Sequence, residues 1–220
     1  YATSPDENAI VMDFFSGSAT TAHATIRSNI EENGNRRYIM VQIPEKIAPS
    51  EDAYSAGYRT ICDIAEERIR KSGQLEMKNS CKTNVDYGFR CFKVDSSNMK
   101  NVYYSPGELM QKTLDLAIDN IKPDRTPEDL LFQVMLDLGI LLSSKIEKKV
   151  LAGKKVFSVA DGYLLACFDE KVTEEVVTAI AKQHPYYAVF RDSSMADSSV
   201  AANFEQIFKT YSPNTVRKVL

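Results

Sequence analysis

The sequence has no tryptophan and only two histidines, His23 and His184, among its 220 residues. Its four cysteines, Cys62, Cys81, Cys91 and Cys167, are scattered and form no CxxC pair. A Cys/His zinc site needs clustered ligands, and a disulfide scaffold needs a denser cysteine framework, so neither is expected. The cysteines read as reduced thiols of a cytoplasmic protein. No apolar run approaches the roughly 18 residues of a membrane helix, and no charged-then-apolar leader is visible, so no membrane association is expected. Glycine is sparse, with nine residues. Neither GxGxxG nor GxxxxGK followed by Ser or Thr occurs, which removes the usual dinucleotide and phosphate loops. No two of the eight prolines are adjacent. Positive charge is not in excess either. The net charge of −3 falls within residues 1–80, and the rest of the chain is balanced. A free-standing nucleic-acid binder would be strongly basic.

What is present is a regular alternation of strands and helices. Ala9–Phe15 is an apolar run closed by Ser16-Gly17-Ser18, the pattern of a buried strand entering a turn. Residues 19–31 follow in helical register, with Ala22, Ile26 and Ile30 on one stripe, and Asn33-Gly34-Asn35 ends them. Arg37–Ile43 is a second buried strand, stopped by Pro44. A second helix is expected from Tyr58 to Lys71, stopped by Ser72-Gly73. This βαβα order predicts a parallel sheet with its ligand site at the carboxyl ends of the strands, near Phe15–Ser18 and Gln42–Glu45.

The polar stretch 76–86 is the expected boundary between a domain at 1–80 and another at 85–220. The second domain is expected to open with a strand at Phe89–Asp95. Helices follow at Gly107–Asn120 and Pro127–Leu138, the latter with Thr126 as cap, Pro127 at its first position and Glu128 and Asp129 in its first turn. Strands Glu147–Leu151, Lys154–Ala160 and Tyr163–Phe168 are joined by Ala152-Gly153 and Asp161-Gly162. A helix capped by Thr173, a strand at Tyr186–Arg191, a helix at Ser198–Tyr211 and a strand at Val216–Leu220 complete the chain. The class is α/β, with the second domain built on a smaller mixed sheet.

The chemistry concentrates in Asp13-Phe14-Phe15-Ser16-Gly17-Ser18-Ala19-Thr20-Thr21. Gly17 permits a tight turn and close approach of a ligand. Ser18, Thr20 and Thr21 place hydroxyls and free amides at a helix start, where a carboxylate is favoured. Asp13, at the end of a buried strand, needs a donor, and a ligand ammonium would supply one. A zwitterionic ligand suits this set. A tight strand–helix turn without a ligand is the alternative.

The string resembles the S-adenosylmethionine motif of amino-DNA methyltransferases in which that motif follows the catalytic one, a pattern close to D-x-F-x-G-S-G-T-T. Ala19 stands where the pattern has its second glycine. Arg36–Glu45 resembles the second strand of the same family and Gly57–Arg70 the helix after it, and Tyr87–Asn98 and Phe190–Lys209 resemble the C-terminal region of type III restriction–modification methyltransferases. The resemblance implies a partial Rossmann-like methyltransferase sheet that binds S-adenosylmethionine through Asp13, Phe14, Phe15, Ser16, Gly17, Ser18, Thr20 and Thr21. It also implies a ribose contact at the end of the second strand, at Gln42 or Glu45. Two vicinal hydroxyls suit a carboxylate better than an amide.

Such enzymes also carry an Asp/Asn-Pro-Pro-Tyr/Phe motif that grips the target amine. The chain has none; the nearest string is His184-Pro185-Tyr186-Tyr187. No catalytic residue is therefore assigned. The expectation is the C-terminal part of a DNA adenine-N6 methyltransferase, opening at Tyr1 close to a strand and inactive alone. The implied partners are double-stranded DNA through the longer protein, a restriction subunit and a second modification subunit in a homodimer. A non-catalytic assembly module and an unrelated small-ligand α/β protein are the other readings. The lysines at 145, 148, 149, 154 and 155 read as a solvated face. The pairs Tyr103-Tyr104 and Tyr186-Tyr187 read as packing.

Overall fold

The computed structural model describes residues 6–80, 85–100, 121–191, 195 and 198–220. The chain divides into two compact units, Tyr1–Lys93 and Val94–Leu220.

In the first unit, β1 (Ile10–Asp13) and β2 (Arg37–Met40) pair in parallel, from Ile10 opposite Arg37 to Asp13 opposite Met40. Helix α1 (Thr20–Glu32) connects them. A short helix, α2 (Asp52–Ser55), precedes the long α3 (Ile61–Ser80). The period-two alternation of the strands leaves Val11, Asp13, Tyr38 and Met40 half-buried and Ile10, Met12 and Ile39 exposed. Ala19, Ala22 and Ile26 pack with Ala65 and Ile69 of α3, and Tyr38, Met40, Tyr87 and Phe89 close this core.

Asn29 joins the end of α1 to the start of β2. Its side-chain amide donates to the Arg36 carbonyl, and its Oδ1 accepts the Arg36 N–H, both at 2.8 Å. Asn33 ends the helix in the left-handed conformation, as the Asn33-Gly34 signal predicts. Both strands are shorter than expected. β1 stops at Asp13 because the Asp13 carboxylate draws the Phe15 amide into a turn. β2 loses its partner there, with the Val41 amide making the last bond back to the Asp13 carbonyl.

Helix α3 corrects the expected Tyr58–Lys71 span at both ends. Thr60 and Asp63 cap its start reciprocally: the Thr60 N–H donates to Asp63 Oδ2 and the Asp63 N–H to Thr60 Oγ1. Ser72-Gly73 does not stop it. The Ser72 hydroxyl bonds back to the Arg68 carbonyl, and Gly73 lets Tyr87 pack closely on the helix, since a Cβ there would lie 3.1 Å from the Tyr87 carbonyl oxygen. The expected strand at Phe89–Asp95 belongs to neither sheet. Tyr87 and Phe89 pack into the first core instead, with the Arg70 guanidinium 5.5 Å above the Phe89 ring. The stretch from residue 85 to Lys93 therefore goes with the first unit and not the second.

The second unit holds α4 (Pro127–Asp137), β3 (Ile146–Leu151), β4 (Lys154–Val159), β5 (Leu164–Cys167), α5 (Glu174–Ala181), β6 (Tyr187–Phe190), α6 (Ser198–Tyr211) and β7 (Val216–Val219). Its sheet runs β3-β4-β5-β6-β7, antiparallel through β5 and parallel from β5 to β7. Leu131, Val134 and Met135 of α4 pack on Phe157, Val159, Leu164, Ala166 and Val189. The other face, Val156, Leu165, Cys167, Ala188 and Phe190, meets Val176, Ile180, Phe204 and Phe208 of α5 and α6. This sheet is covered on both faces, whereas the β1–β2 pair leaves an apolar face exposed.

Thr126 and Asp129 form the expected cap of α4 as a full reciprocal box. Ala152 and Gly153 both take positive φ, the requirement of a type I′ two-residue β-hairpin turn. The Asp161-Gly162 connection is longer than a two-residue hairpin, since Val159 pairs with Leu164. Thr173 occupies the cap position of α5 but its side chain makes no capping bond. The expected helix at Gly107–Asn120 lies outside the described residues, as do Cys81, Tyr103 and Tyr104. Among the described residues no helix is long and apolar enough to cross a membrane.

Candidate functional site

The turn between β1 and α1 brings most of the expected site residues together. Asp13 ends β1, and its Oδ2 accepts a hydrogen bond from the Thr21 hydroxyl at 2.6 Å. Its Oδ1 accepts from the Phe15 N–H at 3.2 Å. The carboxylate therefore has two protein donors and does not depend on a ligand for its first partners, contrary to the expectation. Each carboxylate oxygen can still accept a further bond.

Ser16 is buried, and both its N–H and its hydroxyl donate to the Val41 carbonyl, at 3.3 and 3.4 Å. Gly17 has φ +51°, a conformation that favours glycine, and no atom lies within 4 Å of where a Cβ would stand. Space for a ligand thus adjoins the turn. The Gly17 N–H donates to Gln42 Oε1 at 2.8 Å. Gln42 Nε2 donates in turn to the Ile43 carbonyl at 3.1 Å.

Ala19 is the N-cap of α1 and is fully buried in a left-handed backbone, with φ 60° and ψ 39°. A left-handed alanine costs roughly 1–2 kcal/mol, which is a physical reason for a glycine at this place in the resembling pattern. Having no polar side chain, it cannot cap. The first-turn amides, which have no intrahelical acceptor, are left to solvent or to a ligand at the positive end of the helix dipole. Thr20 is exposed and Ser18 half-buried at this end. Phe14 and Phe15 are 61% and 86% exposed, an unusual position for large apolar rings without a partner. Glu45 is exposed three residues beyond Gln42, in the loop that leads to a bridge between Lys46 and Thr60.

Cys62 was not singled out from the sequence. Its thiol, in the first turn of α3, points at the Gln42 carbonyl with Sγ 3.7 Å away. No spacing signal could have shown this, since the contact joins separate elements. Burial, with Asp63 and Glu66 nearby, holds this thiol above its ordinary pKa. Burial and the Glu66 carboxylate, 3.1 Å away, push Cys91 up to about 11.

The remaining features have structural roles. His23 lies 3.5 Å from Glu76 and links α1 to α3. A groove of about 360 Å³ lined by His23, Tyr58, Arg68 and Lys71 includes none of the turn residues. In the second unit, Lys145 and Lys149 pair with Glu147 and Lys148 with Glu128, so these three lysines carry their own counter-charges, and Lys154 donates to the Glu170 carbonyl. Tyr186 stacks on Tyr163 at 4.9 Å, with Tyr187 edge-on to both.

Comparison with known proteins adds a family context. No family model matches the chain. It is 39% identical over 88 residues to the Mod subunit of the type III restriction-modification enzyme StyLTI of Salmonella typhimurium, covering 40% of the chain and 14% of that protein. It is 29% identical over 205 residues to the Mod subunit of the type III enzyme EcoP15I of Escherichia coli, covering 91% of the chain and 29% of that protein. It is 39% identical over 62 residues to the type II methyltransferase M.KpnI of Klebsiella pneumoniae, covering 28% of the chain and 15% of that protein. The chain thus spans less than a third of the length of these relatives. Along most of its own length it is similar to type III Mod subunits.

Proposed function

We propose that this chain is the carboxy-terminal part of a type III Mod subunit and carries the S-adenosylmethionine-binding turn of a DNA adenine-N6 methyltransferase. The observation that carries the reading is the Asp13–Thr21 turn. An acidic strand end, an open left-handed glycine and an uncapped helix start converge within nine residues. The residues suit the cofactor's zwitterionic end. Asp13 would accept its ammonium, and the first-turn amides of α1 would face its carboxylate. Glu45 would accept from the ribose hydroxyls, and Phe14 and Phe15 offer apolar surface beside the turn. When bound, the cofactor supplies an electrophilic methyl group on a sulfonium centre. The chain's own residues bind and orient it.

Two further features support assignment to a longer enzyme. Parallel sheets bury both faces, yet Ile10, Met12 and Ile39 lie exposed on one face of the β1–β2 pair. The chain also contains no Asp/Asn-Pro-Pro-Tyr/Phe string to hold a flipped adenine. On this reading the 220 residues alone transfer no methyl group. Double-stranded DNA, the restriction subunit and a second Mod subunit are the partners of the longer protein. The β1–β2 pair would form part of a Rossmann-like catalytic domain.

Titration of S-adenosylmethionine into the full-length protein tests the site. Asp13→Ala is expected to weaken binding at least tenfold, and unchanged affinity would remove Asp13 from the site.

A further inference from the structure

Gln42 departs from the carboxylate that a ribose-binding position favours, and its side chain is already engaged. Its Oε1 takes the Gly17 N–H at 2.8 Å, and its Nε2 gives a bond to the Ile43 carbonyl at 3.1 Å. The β1–α1 turn is also fastened to the end of β2 at Val41, whose N–H donates to the Asp13 carbonyl and whose carbonyl accepts from the Ser16 N–H and hydroxyl. Gly17 has a left-handed backbone with open space beside it, so no packed side chain fixes its conformation. The Ala19 N–H closes the turn across Gly17 and Ser18 by donating to the Ser16 carbonyl at 2.7 Å, and the bond to Gln42 is the side-chain contact that ties the Gly17 amide to the end of β2. It also removes the Gly17 amide from the donors available to a ligand and leaves the uncapped start of α1 as the donor surface.

We infer that Gln42 is a positioning residue. It holds the β1–α1 turn in its binding geometry by accepting the Gly17 N–H, and it is not itself a cofactor contact. The cofactor part of this inference rests on the methyltransferase reading; the clamp on Gly17 does not.

Gln42→Met and Gln42→Glu separate the possibilities in the full-length protein. Methionine keeps the length of the side chain and removes the acceptor, while glutamate keeps an acceptor for Gly17. Two readouts are needed: amide hydrogen exchange at Gly17 without ligand, and S-adenosylmethionine affinity by titration. One neutral hydrogen bond corresponds to about a three- to tenfold effect. Gln42→Met should speed exchange at Gly17 and weaken cofactor binding by about that factor, with Gln42→Glu within twofold of wild type in both. Three results overturn the inference. One is Gly17 exchange in the wild type as fast as an unprotected amide. Another is loss of affinity in Gln42→Met with Gly17 exchange unchanged, which would make Gln42 a direct contact. The last is a change in affinity for Gln42→Glu as large as for Gln42→Met. If wild-type protein binds no S-adenosylmethionine while Gly17 exchange still depends on Gln42, the methyltransferase reading falls and the clamp stands.

Discussion

Asn29→Ala is a substitution whose consequence for the first unit can be worked out from its contacts. Asn29 is 6% exposed and Arg36 is 5% exposed. Alanine removes the acceptor for the Arg36 N–H and the donor to the Arg36 carbonyl, both 2.8 Å bonds. Stripping a buried polar group of its partner costs about 1–3 kcal/mol, so the two together predict a loss of about 2–4 kcal/mol once partial hydration is allowed for. Asn29→Asp keeps the acceptor but sets a carboxylate against the Arg36 carbonyl. Its folded-state pKa should rise, so its penalty is full at neutral pH and shrinks as pH falls through that pKa. Urea unfolding followed by far-UV circular dichroism measures both. A loss under 1 kcal/mol for Asn29→Ala would refute the claim that this side chain fixes the connection from α1 to β2.

Thr126→Ala should cost α4 about 1 kcal/mol through loss of its cap. The Thr126 N–H and hydroxyl hold the Asp129 carboxyl below the usual carboxylate range. The stabilisation by that box is present above the unfolded-state pKa and is lost as pH falls through the folded one; Thr126→Ala should keep the part carried by the backbone N–H and lose the hydroxyl's part, whereas acid unfolding of Asp129→Asn should lack this component. Gly73→Leu should destabilise the first unit by about 1–3 kcal/mol, because its side chain would meet the Tyr87 backbone, and thermal melts would show it. Cys91, pushed up to about 11, should be alkylated by iodoacetamide at a rate that keeps climbing with pH beyond 9, and Glu66→Gln should bring that rise to lower pH.

The amount of fold visible in the sequence depended on whether the signals were local. The α4 cap is local, carried by Thr126, Pro127 and Asp129, and the structure has it. The two-residue turn at Ala152-Gly153 is equally local. The Ser72-Gly73 pair misleads because its reason is tertiary: the glycine makes room for the Tyr87 backbone crossing α3. Phe89–Asp95 alternates like a strand, but two of its apolar residues had a different use or none. Phe89 fills the first core, and Val94 is fully exposed. At the site, the residues of the turn were identifiable from one contiguous string. Their partners were not. That Gln42 reaches across to Gly17 depends on the parallel pairing of β1 with β2, which sets two distant segments side by side, and that Thr21 serves Asp13 depends on how the turn folds the string back on itself.

The central claim is that the Asp13–Thr21 turn holds S-adenosylmethionine. Isothermal titration of the cofactor into full-length protein, wild type beside Asp13→Ala, measures it most directly. Saturable binding by the wild type with affinity lowered at least tenfold by Asp13→Ala is the predicted result, the effect of losing a charge-assisted contact. No binding by the wild type, or equal affinity in both proteins, would contradict it.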